Sequence, residues 1–88
     1  MIKPGDIIYH KQTNRYGQDL REDEYLIIID KVRERLIDGH HIGTFNGIVQ
    51  YQYGDEFRNA IENMGLIKKV NYYDAIKLVF RITVTKWI

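Results

Sequence analysis

The 88-residue chain contains no cysteine and no serine. The first absence excludes a disulfide scaffold, a thiol nucleophile and any cysteine-ligated zinc or iron–sulfur site. The second removes serine nucleophiles. Proline occurs once, as Pro4, so no later element is interrupted by it. The longest apolar run, Leu26 to Ile29, is far short of the roughly 20 residues a membrane span needs. Charge is nearly balanced, 13 Lys+Arg against 12 Asp+Glu, which excludes a supercharged nucleic-acid binder and a charged disordered tail. There is no Gly-rich phosphate loop and no metal signature, so no cofactor is expected. The N-terminal Met-Ile-Lys-Pro-Gly-Asp has no signal-peptide h-region. With the missing cysteines, this fits a cytoplasmic protein.

What remains is ordinary globular composition, 44% hydrophobic and 28% charged, in one domain spanning 1–88. Isoleucine outnumbers leucine fourteen to five, and seven tyrosines are present. That skew reads as AT-rich codon usage, of the kind a bacteriophage or mobile element shows.

The periodicity predicts an α+β fold. Pro4-Gly5 is a turn signal before a short strand, Asp6 to His10. Lys11 to Asp23 has Leu20 as its sole aliphatic residue and reads as a long exposed loop. Tyr25 to Val32 is apolar on both parities over Tyr25–Ile29, as in a strand covered on both faces. It can run on to Ile37. Asp38-Gly39 and Asn46-Gly47 carry the residue pairs of type I′ hairpin turns, with a strand from His40 to Phe45 between them. Ile48 to Tyr53 then places Val49, Tyr51 and Tyr53 on one face and Gln50 and Gln52 on the other. Residues 25–53 thus read as a three-stranded antiparallel meander.

One helix follows, at about 55–64. Gly54-Asp55 caps it, Glu56 suits its first turn, and Phe57, Ala60, Ile61 and Met64 share a face. Gly65 is placed as the C′ residue. At the C-terminus Ile76, Leu78, Phe80, Ile82 and Val84 alternate with polar residues, which predicts a half-buried strand. Leu66 to Val70 is its candidate hairpin partner. A helical turn starting at Asn71, with Tyr72, Ala75, Ile76 and Val79 inward, is the rival for 71–77.

The segment Lys3-Pro4-Gly5-Asp6-Ile7-Ile8-Tyr9, a polar stretch and then Tyr25-Leu26-Ile27-Ile28-Ile29 resembles the opening of SH3-like small β-barrels over residues 3–53. The resemblance implies a meandering barrel. One branch of that class, the KOW-type modules, contacts RNA or protein, but its basic-Gly hallmark is not clear here. Another, the PemK/MazF-like ribonuclease toxins, opens with the same Gly-Asp-Ile. It carries Arg-Pro-Val before the second strand where this chain has Asp23-Glu24-Tyr25. A ribonuclease of this type would draw its basic group from Arg15 or Arg21.

His40 and His41 are adjacent on a strand and point to opposite faces, so they read as surface histidines rather than as metal ligands. Arg21-Glu22-Asp23-Glu24 reads as the solvated end of a loop. Lys31, Arg33 and Arg35 would line one face of a strand.

The favoured function is binding of a protein partner, in the manner of a phage-encoded inhibitor or modulator of a host protein. Arg15, Tyr16, Tyr51 and Tyr53 are the interface candidates, because tyrosine and arginine anchor interfaces. The alternative is nucleic-acid binding through a basic-aromatic C-terminal sheet face carrying Lys68, Lys69, Tyr72, Tyr73, Lys77, Arg81 and Trp87. Exposed aromatics and a free strand edge also allow a homodimer.

Overall fold

The computed structural model describes residues 2–43 and 47–87, with side chains up to Val84. Its elements are β1 (Ile7–Tyr16), β2 (Asp19–Arg33), β3 (Leu36–Ile42), β4 (Ile48–Gln52), α1 (Asp55–Glu62), β5 (Ile67–Val70) and α2 (Tyr72–Trp87). The strands form one antiparallel sheet in the order β4-β3-β2-β1-β5. No helix among the described residues is long and apolar enough to cross a membrane.

The alternation of side chains along β2 explains both layers beside the sheet. Ile27 and Ile29 point to one face and, with Ile8, Ile37, Ile67 and Phe57 of α1, form the main core. Leu26 and Ile28 point to the other face, where α2 packs on β1 and β2. The apolar character of Tyr25–Ile29 on both parities is therefore that of a central strand with a helix on each side.

The barrel expectation is corrected: the sheet is open, with β4 and β5 as its edges. On the core face Phe57 of α1 packs against Tyr51 and Tyr53 at the β4 side, while α1 also contacts β5. The helix thus occupies the space across which the two edges would have to meet.

The C-terminal strand is also overturned, and the second helix was not expected over its length. Ala75, Leu78, Val79 and Ile82 recur at helical spacing, and Ala75 and Ile82 are buried against the sheet. Val79, the one break in the two-residue alternation, belongs to that stripe. Of the rival inward set, Ala75 and Val79 do turn inward, while Tyr72 and Ile76 stay exposed. The partner foreseen for the C-terminal strand, 66–70, instead supplies β5, which pairs with β1 from Ile7↔Val70 to His10↔Ile67.

The predicted loop 11–23 is a hairpin. β1 and β2 pair without interruption from Ile7↔Ile28 to Tyr16↔Asp19. Gly17, at φ +67°, occupies the first central position of a two-residue turn, as a type II′ turn requires. Asp38-Gly39 is not a turn but lies inside β3, and the β2–β3 turn falls at Glu34-Arg35. Strand β2 accordingly stops at Arg33, after a bulge at Asp30. Phe45 and Asn46 lie outside the described residues. Strand β4 keeps its expected alternation, with Val49 and Tyr51 half-buried and Gln50 and Gln52 exposed.

Helix α1 is as expected at its start, where Gly54 is the N-cap and Asp55 and Glu56 fill the first turn. It ends earlier than expected, at Glu62, so Met64 lies beyond the last turn and is exposed. Gly65, at φ +66°, follows as the chain turns back, and the Leu66 N–H donates to the Ala60 carbonyl at 3.0 Å.

Candidate functional site

Two surfaces stand out once the core is accounted for. The first is the outer half of the β1–β2 hairpin. Strand β5 pairs with β1 only as far as His10, and β3 pairs with β2 only from Leu26. Apart from the Lys11 N–H, which donates to the Leu66 carbonyl at 2.9 Å, the backbones of residues 11–16 and 19–24 therefore pair with each other alone. From Gln12 to Tyr16, five residues at about 3.4 Å each carry this ribbon about 17 Å past the rest of the sheet.

An isolated two-stranded ribbon is marginal in water. Here side chains brace it. Asn14 Nδ2 donates to Asp23 Oδ2 at 2.7 Å and to the Tyr25 hydroxyl at 3.0 Å. The Tyr16 hydroxyl donates to the same Asp23 oxygen. The Arg21 guanidinium lies over the Tyr16 ring, 4.8 Å from its centroid. These residues share one face, because they are the even positions of β1 and the odd positions of β2 in an antiparallel register. The bond to Asp23 holds the Tyr16 hydroxyl above its ordinary pKa. On the opposite face Lys11 pairs with Glu22 at 3.3 Å, and Arg15 and Leu20 are exposed side by side at the tip.

Towards the sheet, the braced face continues into an aromatic cluster. His10 Nδ1 lies 2.9 Å from the Tyr51 hydroxyl, so β4 reaches β1 over two intervening strands. Tyr25 packs between the rings of His10 and His41. Burial, and then the neighbouring His41, push His10 below the usual histidine range. Burial does the same to His41. The Tyr51 hydroxyl is pushed up by burial first and then by Tyr25.

The interface candidates thus separate. Arg15 and Tyr16 sit at the ribbon tip, where Tyr16 is braced and Arg15 is exposed. Tyr51 and Tyr53 are half-buried on the same sheet face, against Phe57. The sequence missed Leu20 as a tip residue and Asn14 and Asp23 as its braces. The signal was the Tyr16-Gly17-Gln18-Asp19 stretch, a Gly-X turn flanked by polar residues.

The second surface is α2. Its outward side exposes Tyr72, Tyr73, Ile76, Phe80 and Val84. This is a helix and not the sheet face expected of the basic-aromatic segment, and the cations divide. Lys68 and Lys69 lie opposite Tyr9 and Ile8 of β1, on alternate faces of β5. Lys69 pairs with Asp6 at 3.3 Å. Arg81 pairs with Glu24 at 3.0 Å and also meets the Tyr9 hydroxyl. Lys77 stacks on Tyr73, its nitrogen 4.5 Å from the ring centroid. Tyr73 and Lys77 are brought together; Lys69 is removed to the other side of the sheet. The Trp87 side chain lies outside those described.

His40 and His41 do point to opposite faces. His40 Nδ1 lies 2.7 Å from Asp30 Oδ2, while His41 joins the aromatic cluster. Among the described residues no three His, Asp or Glu gather as a metal site would require. The acids of the 21–24 segment are engaged by Lys11, Asn14, Tyr16 and Arg81. Of the row Lys31, Arg33 and Arg35, Arg33 pairs with Asp38 at 2.6 Å and Arg35 falls in the turn.

No family model matches the chain, and neither a curated protein nor a solved structure is detectably similar to it.

Proposed function

We propose that the chain is a small protein-binding module whose docking element is the outer half of the β1–β2 ribbon. The carrying observation is a polar ribbon standing clear of the sheet and braced by Asn14, Tyr16, Arg21 and Asp23, none of which belongs to the core. Ordering such an arm costs conformational entropy that little apolar burial offsets. A rigid arm recovers that cost on binding, because its tip needs no further ordering. Arg15, Tyr16 and Leu20 at the tip combine two residue types common at interface hot spots with an apolar contact. The isoleucine and tyrosine bias favours a phage-encoded modulator of a host protein as the specific form of this reading.

The ribbon carries a nearly even balance of charge, with Lys11, Arg15 and Arg21 against Asp19, Glu22, Asp23 and Glu24. That balance suits a protein surface better than a phosphate backbone, whose binding is driven by cations. The test is capture from a bacterial lysate by tagged protein, with and without nuclease. A stoichiometric protein that survives nuclease and is lost with the Arg15→Ala/Tyr16→Ala/Leu20→Ala variant is the expected result. Capture by that variant of the same protein in the same amount would remove the ribbon from the interface. Nuclease-sensitive capture whose affinity falls steeply with salt would transfer the function to nucleic acid.

A further inference from the structure

Tyr72 is 75%, Tyr73 68% and Phe80 72% exposed on α2, and Ile48 of β4 is 88% exposed. At 100° per residue, Tyr73, Phe80 and Val84 point away from the sheet contact made by Ala75 and Ile82. Tyr72 and Ile76 point to one flank. That flank overhangs β3: a Cβ placed on Gly43, just past the end of β3, would meet Val79 at 3.6 Å, while Arg81 on the other flank holds Glu24. Between this flank and the sheet runs an apolar groove of about 300 Å³ lined by Ile28, Ile42, Tyr72, Ile76 and Val79.

Five strands about 4.8 Å apart make a face about 24 Å wide, and a helix is about 10 Å across. The face has the width for two helices, yet among the described residues α2 alone lies on it, over β1 and β2. The uncovered β3–β4 half presents Ile42 and Ile48. Two of its polar side chains are already engaged, His40 by Asp30 at 2.7 Å and Gln50 by Asp38 at 2.9 Å, while Gln52 lies exposed at its far end. Covering that half would therefore strand neither His40 nor Gln50.

We infer that the chain forms a two-fold symmetric dimer in which α2 of each copy lies over β3 and β4 of the other. The two helices run side by side in a middle layer, with a sheet above and a sheet below. Tyr72 and Ile76 of each helix meet the other helix; Tyr73, Phe80 and Val84 meet the other sheet. A second copy is the occupant because each chain carries both the protruding ridge and the receiving strip, which is the self-complementarity a two-fold interface requires. The area agrees. The exposed α2 side chains offer roughly 600 Å², and Ile42 and Ile48 bring this to about the 800 Å² per partner of a stable interface. A net charge of +1 per chain gives two copies little mutual repulsion.

Sedimentation velocity over a micromolar to near-millimolar concentration series tests the inference. The wild type is expected at twice 10.5 kDa. Phe80→Lys on the ridge and Ile48→Lys on the strip should each weaken dimerisation by at least about thirtyfold. Both side chains are exposed, and circular dichroism checks that each variant stays folded. A monomer throughout the series overturns the inference and leaves the ridge to a different protein. A dimer that ignores both substitutions overturns it as well. Loss with Phe80→Lys alone would mean that the two ridges pack only on each other. Loss with Ile48→Lys alone would mean edge-to-edge pairing of β4, and either result excludes the arrangement inferred.

Discussion

Gly39 shows how one missing methyl group sets the register of two strands. A Cβ at this position would lie 2.7 Å from Ile27 Cγ2 and 2.7 Å from the Ile28 carbonyl oxygen. The methyl could shift, but the carbonyl belongs to the β2 backbone and can move only by disturbing the β2–β3 pairing. Gly39→Ala should therefore destabilise the fold by about 1–3 kcal/mol through overpacking. Urea midpoints measure this, and an unchanged midpoint would contradict the contact. The sequence offered this glycine as half of an Asp-Gly turn. Nothing local distinguishes a glycine that bends a chain from one that admits a neighbouring strand. The difference lies in Ile27, twelve residues away. His10 and His41 make a second residue-scale case. Each is held below the usual histidine value of about 6.5 by burial. The unfolded chain takes up protons more readily than the folded one below that value, so stability is full above it and falls as pH drops towards the folded-state values. Urea midpoints at about pH 7.5 and about pH 5.5 should show this loss, and His10→Phe should reduce it. An equal loss in the variant would place the effect elsewhere.

At the scale of elements, the ribbon and α2 are the two that the sequence disguised. A strand is recognised by an apolar face, and residues 11–24 have none, because hydrogen bonds rather than a core hold them. The ribbon should accordingly depend on one carboxylate. Asp23→Ala removes the acceptor shared by Asn14 and Tyr16. Amide-exchange protection over 11–16 and 19–23 should fall, while global stability changes by about 1 kcal/mol or less. Retained protection would show that backbone pairing alone orders the arm. Helix α2 was hidden differently. Its β-branched residues, Ile76, Val79, Ile82, Thr83 and Val84 among them, favour a strand locally. The stripe Ala75, Leu78, Val79, Ile82 meets the apolar β1–β2 face and overrides that preference. By contrast the inner part of β2 from Tyr25 to Val32, β4 and the start of α1 were legible, since local preference and tertiary environment agree there. Of the candidate site, Arg15 and Tyr16 were legible as residues, but not the braced ribbon that carries them.

On the scale of the whole molecule, the order of the chain and the order of the sheet disagree at one place. Strand β1 finds one neighbour, β2, within a hairpin, but its other neighbour, β5, comes about sixty residues downstream. Helix α2, which covers Leu26 and Ile28, comes later still. During synthesis, at about 5–20 residues per second, the four-stranded meander is therefore in place some seconds before its cover. Over that interval β1 presents an unpaired edge, and the isoleucine-rich second strand presents one bare face, both ready templates for a neighbouring chain. Yield of soluble protein should therefore respond to translation speed and to whatever shields the nascent chain until α2 emerges.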